Sequence, residues 1–401
     1  MGGVVGGSLT GILHLIARLD RARFAPSLAL FEAKAVEKDL ASRGVPVHVL
    51  PALPVQRKAL APGRIARAVV RATDLWQVVG PRARAVAAVI RAEQPDLVYC
   101  ANGLTANLDA VVAAALARRP ILCHEKGFRR VGPAERFMSR WVDACVTMTD
   151  EIAAHYRARQ VRARQFLTIF DGIDTTEFPA GGGAAVRREF DIPADAPLVG
   201  IVGHIQGWKG QHLVVEAVSR ARARHPALRC LVVGGVHRDG EEYAARLRER
   251  IAAPDLAGHV ILAGARRDVP ACLDAMDVVL HGSVTPEPFG RVLIEAMALG
   301  KPLVAPGEGG PLVIVVHGST GLLVTPRDPG AMAEAIVELL DDPARRAAMG
   351  AAARARVDAV FDIRHHVRHM QELFETLIGA SGDGRAESRA PRASVSRGDS
   401  A

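Results

Sequence analysis

The chain has 401 residues, of which 49% are hydrophobic and 23% charged. This is a globular composition, and the length suits two domains that each bury a core. Only 4% of the residues are aromatic, which argues against a nucleic-acid surface built on stacked rings. Residues 1–170 carry 25 Lys and Arg against 13 Asp and Glu, whereas residues 171–401 carry 26 against 30, so an anionic partner is expected for the first half only.

Short apolar runs alternate with longer helical stretches, which predicts parallel sheets joined by βαβ crossovers. The predicted strands are Pro46–Leu50, Leu97–Cys100, Ile121–Cys123, Leu198–Gly203, Arg229–Val233, Val260–Leu262, Val278–Leu280 and Pro302–Ala305. The glycine run Gly181–Gly183 is the expected interdomain linker. No strand precedes the first glycine turn, Gly2–Ser8. We interpret this as a start codon assigned too far downstream, which removes the first strand from the sequence, rather than as a sheet that lacks an edge strand.

Two glutamates eight residues apart form the strongest motif, Glu287-Pro-Phe-Gly-Arg-Val-Leu-Ile-Glu295. Glu287 is expected in the loop after a strand, and Glu295 on the following helix. Between them, the backbone N–H groups from Gly290 to Val292 would begin that helix and face an anion. Carboxylates are good acceptors for pairs of sugar hydroxyls. The pattern therefore predicts a phosphate site with a sugar on either side.

Two glycine turns accompany this motif. In the first, the strand Val199–Gly203 is followed by Trp208-Lys209-Gly210-Gln211, which places a lysine at a helix start where it would neutralise a diphosphate. In the second, Gly307-Glu-Gly-Gly-Pro311 is expected at the carboxyl edge of the same sheet, where open α/β sheets bind ligands.

In this order the three motifs resemble the C-terminal half of family 4 glycosyltransferases, a retaining group with the GT-B fold. In the first half, Gly6-Gly7-Ser8 resembles the donor-facing glycine loop of that family. The strand Ile121–Phe128 resembles the one that ends in an active-site histidine, and Asp171-Gly-Ile-Asp174 resembles the turn that enters the hinge.

The resemblance implies an α/β protein of the GT-B fold, with two Rossmann-like domains facing each other across a cleft. The implied organisation is an acceptor-binding domain over 1–175, a nucleotide-sugar-binding domain over 185–360, a helix over 361–380 that crosses back to the first domain, and a disordered tail over 381–401. The implied setting is cytoplasmic, at the inner face of the membrane where the acceptor is lipid-linked, in bacterial surface polysaccharide synthesis. The scattered cysteines, and the lack of a signal peptide or of an apolar run of about 18 residues, agree with a cytoplasmic chain.

The resemblance also implies the roles of individual residues. Glu295 would hold the ribose, Glu287 the transferred sugar and Lys209 the diphosphate, while His124 would lie near the anomeric centre. His124 and Glu287 are thus the candidate catalytic residues. The remaining donor-binding candidates are Gly7, His204, Gly264, Arg266, Phe289, Gly290, Arg291 and Val292. No metal or other cofactor is expected, because the chain has no Asp-x-Asp pair.

Three residues depart from the family pattern. His204 stands where an arginine is usual and carries less charge near neutral pH. Val313 replaces a glutamate, and Asp171 replaces an asparagine. These departures leave two alternatives open besides a transferase: a nucleotide-sugar-binding protein that has lost activity, and a nucleotide-sugar epimerase of the same fold.

Two further stretches have two interpretations each. Residues 57–91 contain eight Lys and Arg and a single acid, Asp74, so they form either a contact with an anionic membrane or two ordinary surface helices, and we favour the helices. His365, His366 and His369 are spaced for a metal site on a helix, but a solvated helix face is the favoured interpretation. The expected partners are therefore a nucleotide-sugar donor and a glycan or lipid-linked acceptor, without nucleic acid.

Overall fold

The computed structural model of the chain describes residues 7–31, 36–51 and 64–382. Helices and strands alternate through the first half, which we define as residues 1–175. They are α1 (Gly7–Arg18), β1 (Leu28–Leu30), α2 (Val36–Ser42), β2 (Val47–Val49), α3 (Arg64–Glu93), β3 (Val98–Cys100), α4 (Leu108–Leu116), β4 (Ile121–Glu125), α5 (Pro133–Met138), β5 (Ala144–Thr147), α6 (Asp150–Ala158) and β6 (Gln165–Thr168).

The second half repeats this alternation. Its elements are α7 (Gly183–Glu189), β7 (Leu198–Val202), α8 (Gln211–Ala221), β8 (Arg229–Val233), α9 (Glu241–Ile251), β9 (Val260–Gly264), α10 (Val269–Ala275), β10 (Val278–Leu280), α11 (Arg291–Ala298), β11 (Leu303–Pro306), α12 (Pro311–Ile314), β12 (Gly321–Val324), α13 (Pro329–Asp341), α14 (Pro343–Arg356) and α15 (Ile363–Gly382).

The second-half sheet is parallel, with the strand order β12-β11-β10-β7-β8-β9. Its central strands β7, β8 and β10 are almost wholly buried, because helices cover both faces of the sheet. That burial explains why these strands are continuous apolar runs in the sequence. The predicted strands of this half all lie on observed strands, and the prediction missed β12.

In the first half the parallel strands form two groups, the pair β1-β2 and the sheet β3-β4-β5-β6. Helix α1 packs on both groups, since Ile12 and Ile16 contact the core around Leu40 while Leu15 and Leu19 lie in the core around Leu122. The prediction of a truncated first strand falls on residues 1–6, which lie outside the described residues. The sequence prediction also missed β1, β5 and β6.

Helix α15 returns to the first half and buries its apolar face against α1 and strands β4 and β5. Ile363, Val367 and Met370 share one core with Leu122 and Val146. The chain that leads into α15 is bonded to the hinge turn, because the Ile173 N–H donates to the Phe361 carbonyl and the Ile363 N–H to the Ile173 carbonyl, both at 2.9 Å. Most of the predicted tail, 383–401, lies outside the described residues, and α15 includes residues 381 and 382.

The glycine run at Gly181–Gly183 is fixed to the second half. The N–H groups of Gly181 and Gly183 donate to the Asp274 carboxylate at 2.8 and 2.9 Å, and α7 begins at Gly183. The connection between the halves therefore lies before this run, near residues 170–178. Within the described ranges, no helix is both long and apolar enough to cross a membrane.

Candidate functional site

The loops at the carboxyl ends of β7, β10 and β11 approach each other closely, and glycines permit this approach. Gly210 has φ +66°, and a Cβ there would lie 1.8 Å from the Gly282 carbonyl oxygen. A Cβ on Gly310 would lie 1.9 Å from the Phe289 carbonyl oxygen. Side chains at these positions would push the loops apart, so the glycines hold the three predicted motifs together at one edge of the sheet.

Lys209 and Glu287 form an ion pair at this edge. The Lys209 Nζ donates to Glu287 Oε2 at 2.7 Å, and the Ser283 hydroxyl donates to the same oxygen at 3.1 Å. Burial would raise the pKa of Glu287, which is 9% exposed, but Lys209 and its other partners lower it overall. Glu287 is therefore held as a carboxylate beside a lysine ammonium group. The sequence motifs predict both residues at the site, but they do not predict that the two side chains bind each other.

His281 lies behind this pair. The His281 Nε2 atom is 3.6 Å from Glu287 Oε2 and has no hydrogen-bond partner. Burial lowers the pKa of His281 to about 4, so its ring is neutral at pH 7. Neither His281 nor Ser283 was singled out from the sequence, although both precede the first glutamate of the motif by a few residues.

Acidification should destabilise the protein because His281 is buried in its neutral form. In the unfolded chain this histidine takes up a proton near pH 6.5, whereas in the folded protein it does so only near pH 4. Its contribution to stability is therefore complete above about pH 6.5 and is lost as the pH falls, up to about 3 kcal/mol at pH 4. Urea unfolding between pH 7.5 and 5 should show a smaller loss in His281→Asn than in wild type. Equal losses would contradict this assignment.

Helix α11 begins at the left-handed residue Gly290, which has φ +100°, and carries Arg291, Val292 and Glu295. Arg291 Nε is 3.9 Å from Glu295 Oε1. Burial raises the pKa of Glu295, an effect that Arg291 opposes. Phe289 is buried, and its ring lies 6.4 Å from the Phe170 ring of the first half, measured between centroids.

Asp171 is a buried carboxylate that contacts residues of both halves next to the start of α11. Its carboxylate accepts from Lys126 Nζ at 2.9 Å and lies 3.6 Å from Arg291 Nη1 of the second half. Burial would raise the pKa of Asp171, but the two cations lower it far below the usual range. Gly11 of α1 lies beside the same groups, since a Cβ there would be 3.6 Å from Arg291 Nη1. The sequence motifs do not single out Lys126, and they predict Asp171 only as part of the hinge turn and as a departure from the family pattern, not as a bridge between the halves.

His124 is fully buried in β4. Its Nδ1 lies 2.7 Å from the Tyr99 hydroxyl, and its Nε2 has no hydrogen-bond partner. The ring stacks on His366 of α15 at 6.2 Å between centroids. Burial lowers the pKa of His124, and Lys126 lowers it further. The histidine expected near the anomeric centre therefore lies as a neutral ring beneath the surface, and the role of His124 stays a prediction.

His366 belongs to this packing, with its Nδ1 2.8 Å from the Phe170 carbonyl oxygen. The spacing of His365, His366 and His369 favours a solvated helix face over a metal site, and the burial of His366 contradicts the solvated interpretation for this residue. The described residues contain no group of three or more His, Cys, Asp or Glu arranged to hold a metal ion.

The remaining candidates lie at the rim of the second half or at the first helix. His204 follows β7 and is exposed, with its ring 6.1 Å from that of His237. Gly264 ends β9 with φ +68°. The Arg266 guanidinium forms salt bridges with Glu189 and Asp268, so its charged group already has two partners within the protein. Gly7 begins α1.

Two protein-family models match the chain and between them account for most of it. The model for glycosyl transferases group 1 matches residues 184–356. The model for the glycosyl transferase 4-like domain matches residues 6–172. The boundary between them falls where the connection between the halves lies.

The chain is similar to curated proteins over part of their length. A D-inositol 3-phosphate glycosyltransferase of Corynebacterium kroppenstedtii is 30% identical over 236 residues, which are 57% of this chain and 51% of that protein. The lipopolysaccharide core biosynthesis mannosyltransferase LpsB of Rhizobium meliloti is 28% identical over 61% of this chain and 68% of that protein. The chain spans about half the length of the first of these relatives.

Among solved structures, Anabaena HepE in complex with UDP and glucose is similar over nearly the whole fold. The TM-score is 0.77 at 25% sequence identity, covering 93% of this chain and 97% of that one. A sucrose-phosphate synthase from Thermosynechococcus elongatus has the same fold, with a TM-score of 0.73. These likenesses confirm the predicted GT-B architecture.

Proposed function

Since the chain belongs to the GT-B glycosyltransferases of the family 4 type, we propose that it transfers a sugar from a nucleotide-sugar donor to a glycan or lipid-linked acceptor. The observation that carries the proposal is the Lys209–Glu287 pair with Glu295 eight residues further on, all at the carboxyl edge of the second-half sheet. A cation beside two carboxylates suits a ligand with a diphosphate between two hydroxyl-bearing rings.

In this proposal each group has one role toward the donor. Glu287 accepts hydrogen bonds from the transferred sugar, Lys209 exchanges part of its contact with Glu287 for the diphosphate, and Glu295 accepts from the ribose. The N-terminus of α11 supplies backbone N–H groups to the phosphates. Charge develops on the leaving diphosphate during transfer, so these donors stabilise the transition state more than the ground state.

We further propose retention at the anomeric carbon without a metal ion. Asp171 neutralises Lys126 and Glu287 is bonded to Lys209, so neither of these two carboxylates is free to act as a base or nucleophile. The leaving phosphate oxygen would then accept the proton of the acceptor. LpsB acts in lipopolysaccharide core synthesis by its name, which supports a role in bacterial surface polysaccharide assembly. The family resemblance, rather than this name, is the reason to propose the cytoplasmic face of the membrane as its place.

The competing function is a nucleotide-sugar-binding protein without transfer. It is favoured by His204, an exposed imidazole where the family has an arginine, because an imidazole lacks the fixed positive charge of a guanidinium group and leaves Lys209 as the main cation for the diphosphate. Transfer or donor hydrolysis by the wild type, lost in a Glu287 variant, excludes this alternative.

Thermal unfolding with UDP, GDP, ADP, dTDP and CMP tests the donor site. HepE was solved with UDP, so a uridine nucleotide is the first expected ligand. At a hundred times its dissociation constant, a nucleotide should add about 2.7 kcal/mol to stability. Glu295→Ala should lose this effect, whereas the control Glu249→Ala, on the exposed side of α9, should retain it. No stabilisation by any of the five nucleotides would contradict the proposal.

A further inference from the structure

Three polar groups of the second half surround one oxygen of Glu287. The Lys209 Nζ lies 2.7 Å from Oε2, and the Ser283 hydroxyl lies 3.1 Å from it. The third group, His281 Nε2, is 3.6 Å from the same oxygen, which is too long for a hydrogen bond. Lys209 and Ser283 therefore hold Oε2 in the ligand-free protein, and the imidazole beside them has no acceptor.

His281 is fixed next to Glu287 by the sheet. It follows β10 directly, and its backbone N–H donates to the Val304 carbonyl of β11 at 2.8 Å. Its side chain is only 3% exposed, and Nε2 is buried without a partner. A buried nitrogen that lacks a hydrogen bond destabilises the folded protein and is rare in native structures. We therefore expect Nε2 to bind its acceptor in another state of the site.

Binding of a diphosphate would create such a state. Under the proposed function, the Lys209 ammonium exchanges part of its contact with Glu287 for the phosphates, so Oε2 loses its closest donor. We propose that His281 Nε2 then donates to Oε2 in place of Lys209, which makes His281 a positioning residue that holds the Glu287 carboxylate for the transferred sugar. The inference rests on the proposed function for the ligand that moves Lys209.

The movement that this exchange requires is small. Nε2 must approach Oε2 by about 0.6 Å, from 3.6 Å to an ordinary N–H···O distance of about 3.0 Å. A small cavity borders both His281 and Ser283, which gives the ring room to move. Burial lowers the pKa of His281 to about 4, so the ring is neutral. With its proton on Nε2, it donates one hydrogen bond and leaves Glu287 its full negative charge for sugar hydroxyls.

Replacing the lysine by methionine imitates this exchange without a ligand. In Lys209→Met the Glu287 carboxylate lacks its closest donor, so His281 should bond to it in the free protein. Double-mutant cycles of His281→Asn with Glu287→Leu, measured by urea unfolding, should show little coupling while Lys209 is present. In the Lys209→Met background the coupling should reach at least a tenfold change in the unfolding equilibrium constant.

Two amide variants test the role of the Nε2 atom. The side-chain nitrogen of glutamine lies about as far from the backbone as Nε2, whereas that of asparagine reaches only the position of Nδ1. In titration calorimetry of the full chain, His281→Gln should bind UDP within about threefold of the wild type, and His281→Asn at least tenfold more weakly. Urea unfolding of both variants without ligand is the companion measurement, because a merely structural role would change their stabilities and not their relative affinities.

The Lys209→Met background is the matched control for UDP binding. There His281 bonds to Glu287 both before and after UDP binds, so adding His281→Asn should not weaken UDP binding further. The basic stretch at residues 57–91 is the same in all variants, since its residues 64–91 belong to α3 of the first half and its residues 57–63 lie outside the described residues. Nonspecific binding of the UDP anion to that stretch therefore cancels in the comparison.

Three results would overturn the proposal. The first is equal coupling between His281 and Glu287 with and without Lys209. The second is equal UDP affinity of the glutamine and asparagine variants. The third is a loss of affinity in His281→Asn that is just as large in the Lys209→Met background, since His281 would then act on UDP without Lys209. If the wild type bound no nucleotide, the proposed function would fail, and the coupling in the ligand-free protein would still decide whether His281 replaces Lys209 at Oε2.

Discussion

Replacing Glu287 by alanine should lower transfer by at least a hundredfold and destabilise the ligand-free protein by about 2–4 kcal/mol. The loss of stability follows from the Lys209 Nζ, which donates to Glu287 at 2.7 Å. Without the carboxylate, a largely buried ammonium group would have no counter-charge. Lys209 retains 18% exposure of its side chain, so water screens part of the effect and the loss stays below that of a wholly buried pair.

A double-mutant cycle separates the ion pair from packing. Lys209→Met alone should also destabilise, because it leaves the Glu287 carboxylate without its cation. The double variant Lys209→Met with Glu287→Leu removes both charges, and its loss should be smaller than the sum of the single losses. Urea unfolding measures stability, and release of the nucleotide product measures transfer. Additive losses would contradict an ion pair, and transfer near the wild-type rate by Glu287→Ala would contradict the proposed role of Glu287.

The motif in the second half was predictable because its chemistry is local in sequence. Glu287, Gly290 and Glu295 lie on one strand-turn-helix segment, and the carboxyl ends of parallel strands necessarily meet at one edge. The bond between Lys209 and Glu287 was not predictable in this way. It joins residues 78 positions apart, and its geometry depends on the close approach of Gly210 to Gly282.

The first half was harder to predict, for two physical reasons. Strands β5 and β6 are four residues long and include Thr147, Gln165 and Thr168, so they lack the apolar runs that revealed the second-half strands. His124 shows the second reason. It shares a sheet face with Leu122, because alternate residues of a strand point the same way, and α15 packs on that face. The return of α15 from the end of the chain therefore buries a side chain that local sequence placed at the cleft.

Replacing Asp171 by alanine should be among the most destabilising single changes at the junction of the halves, at about 3–5 kcal/mol. Asp171 is the carboxylate that Lys126 contacts at 2.9 Å, and the Lys126 side chain is only 11% exposed. Burial lowers the pKa of Lys126, and Asp171 raises it. Removal of Asp171 would therefore leave a buried lysine with no counter-charge, next to Arg291 of the second half.

The Asp171→Asn variant separates the loss of the negative charge from the loss of the side chain. Asp171→Asn retains an oxygen that accepts from Lys126 but removes the negative charge, so its loss should be smaller, about 2 kcal/mol. Adding Lys126→Met to Asp171→Asn should recover stability, because the double variant no longer buries an unpaired cation. If Lys126→Met lowered the stability of Asp171→Asn further, the ion pair would not explain the effect.

The pH dependence of the unfolding free energy tests the role of Asp171 independently, because the direction of its change with pH follows from the lowered pKa of this carboxylate. Lys126 and Arg291 hold the pKa of Asp171 far below its usual value, which is about 3.9 in an unfolded chain. The stabilisation by this carboxylate is therefore complete above about pH 4 and declines as the pH falls toward the lowered value. The difference in stability between wild type and Asp171→Asn should be constant from pH 7 to 5 and shrink below pH 4. Because the Asp171 carboxylate raises the pKa of the neighbouring His124 and His366, a difference that widens already between pH 7 and 5 would mean that these histidines control the junction instead.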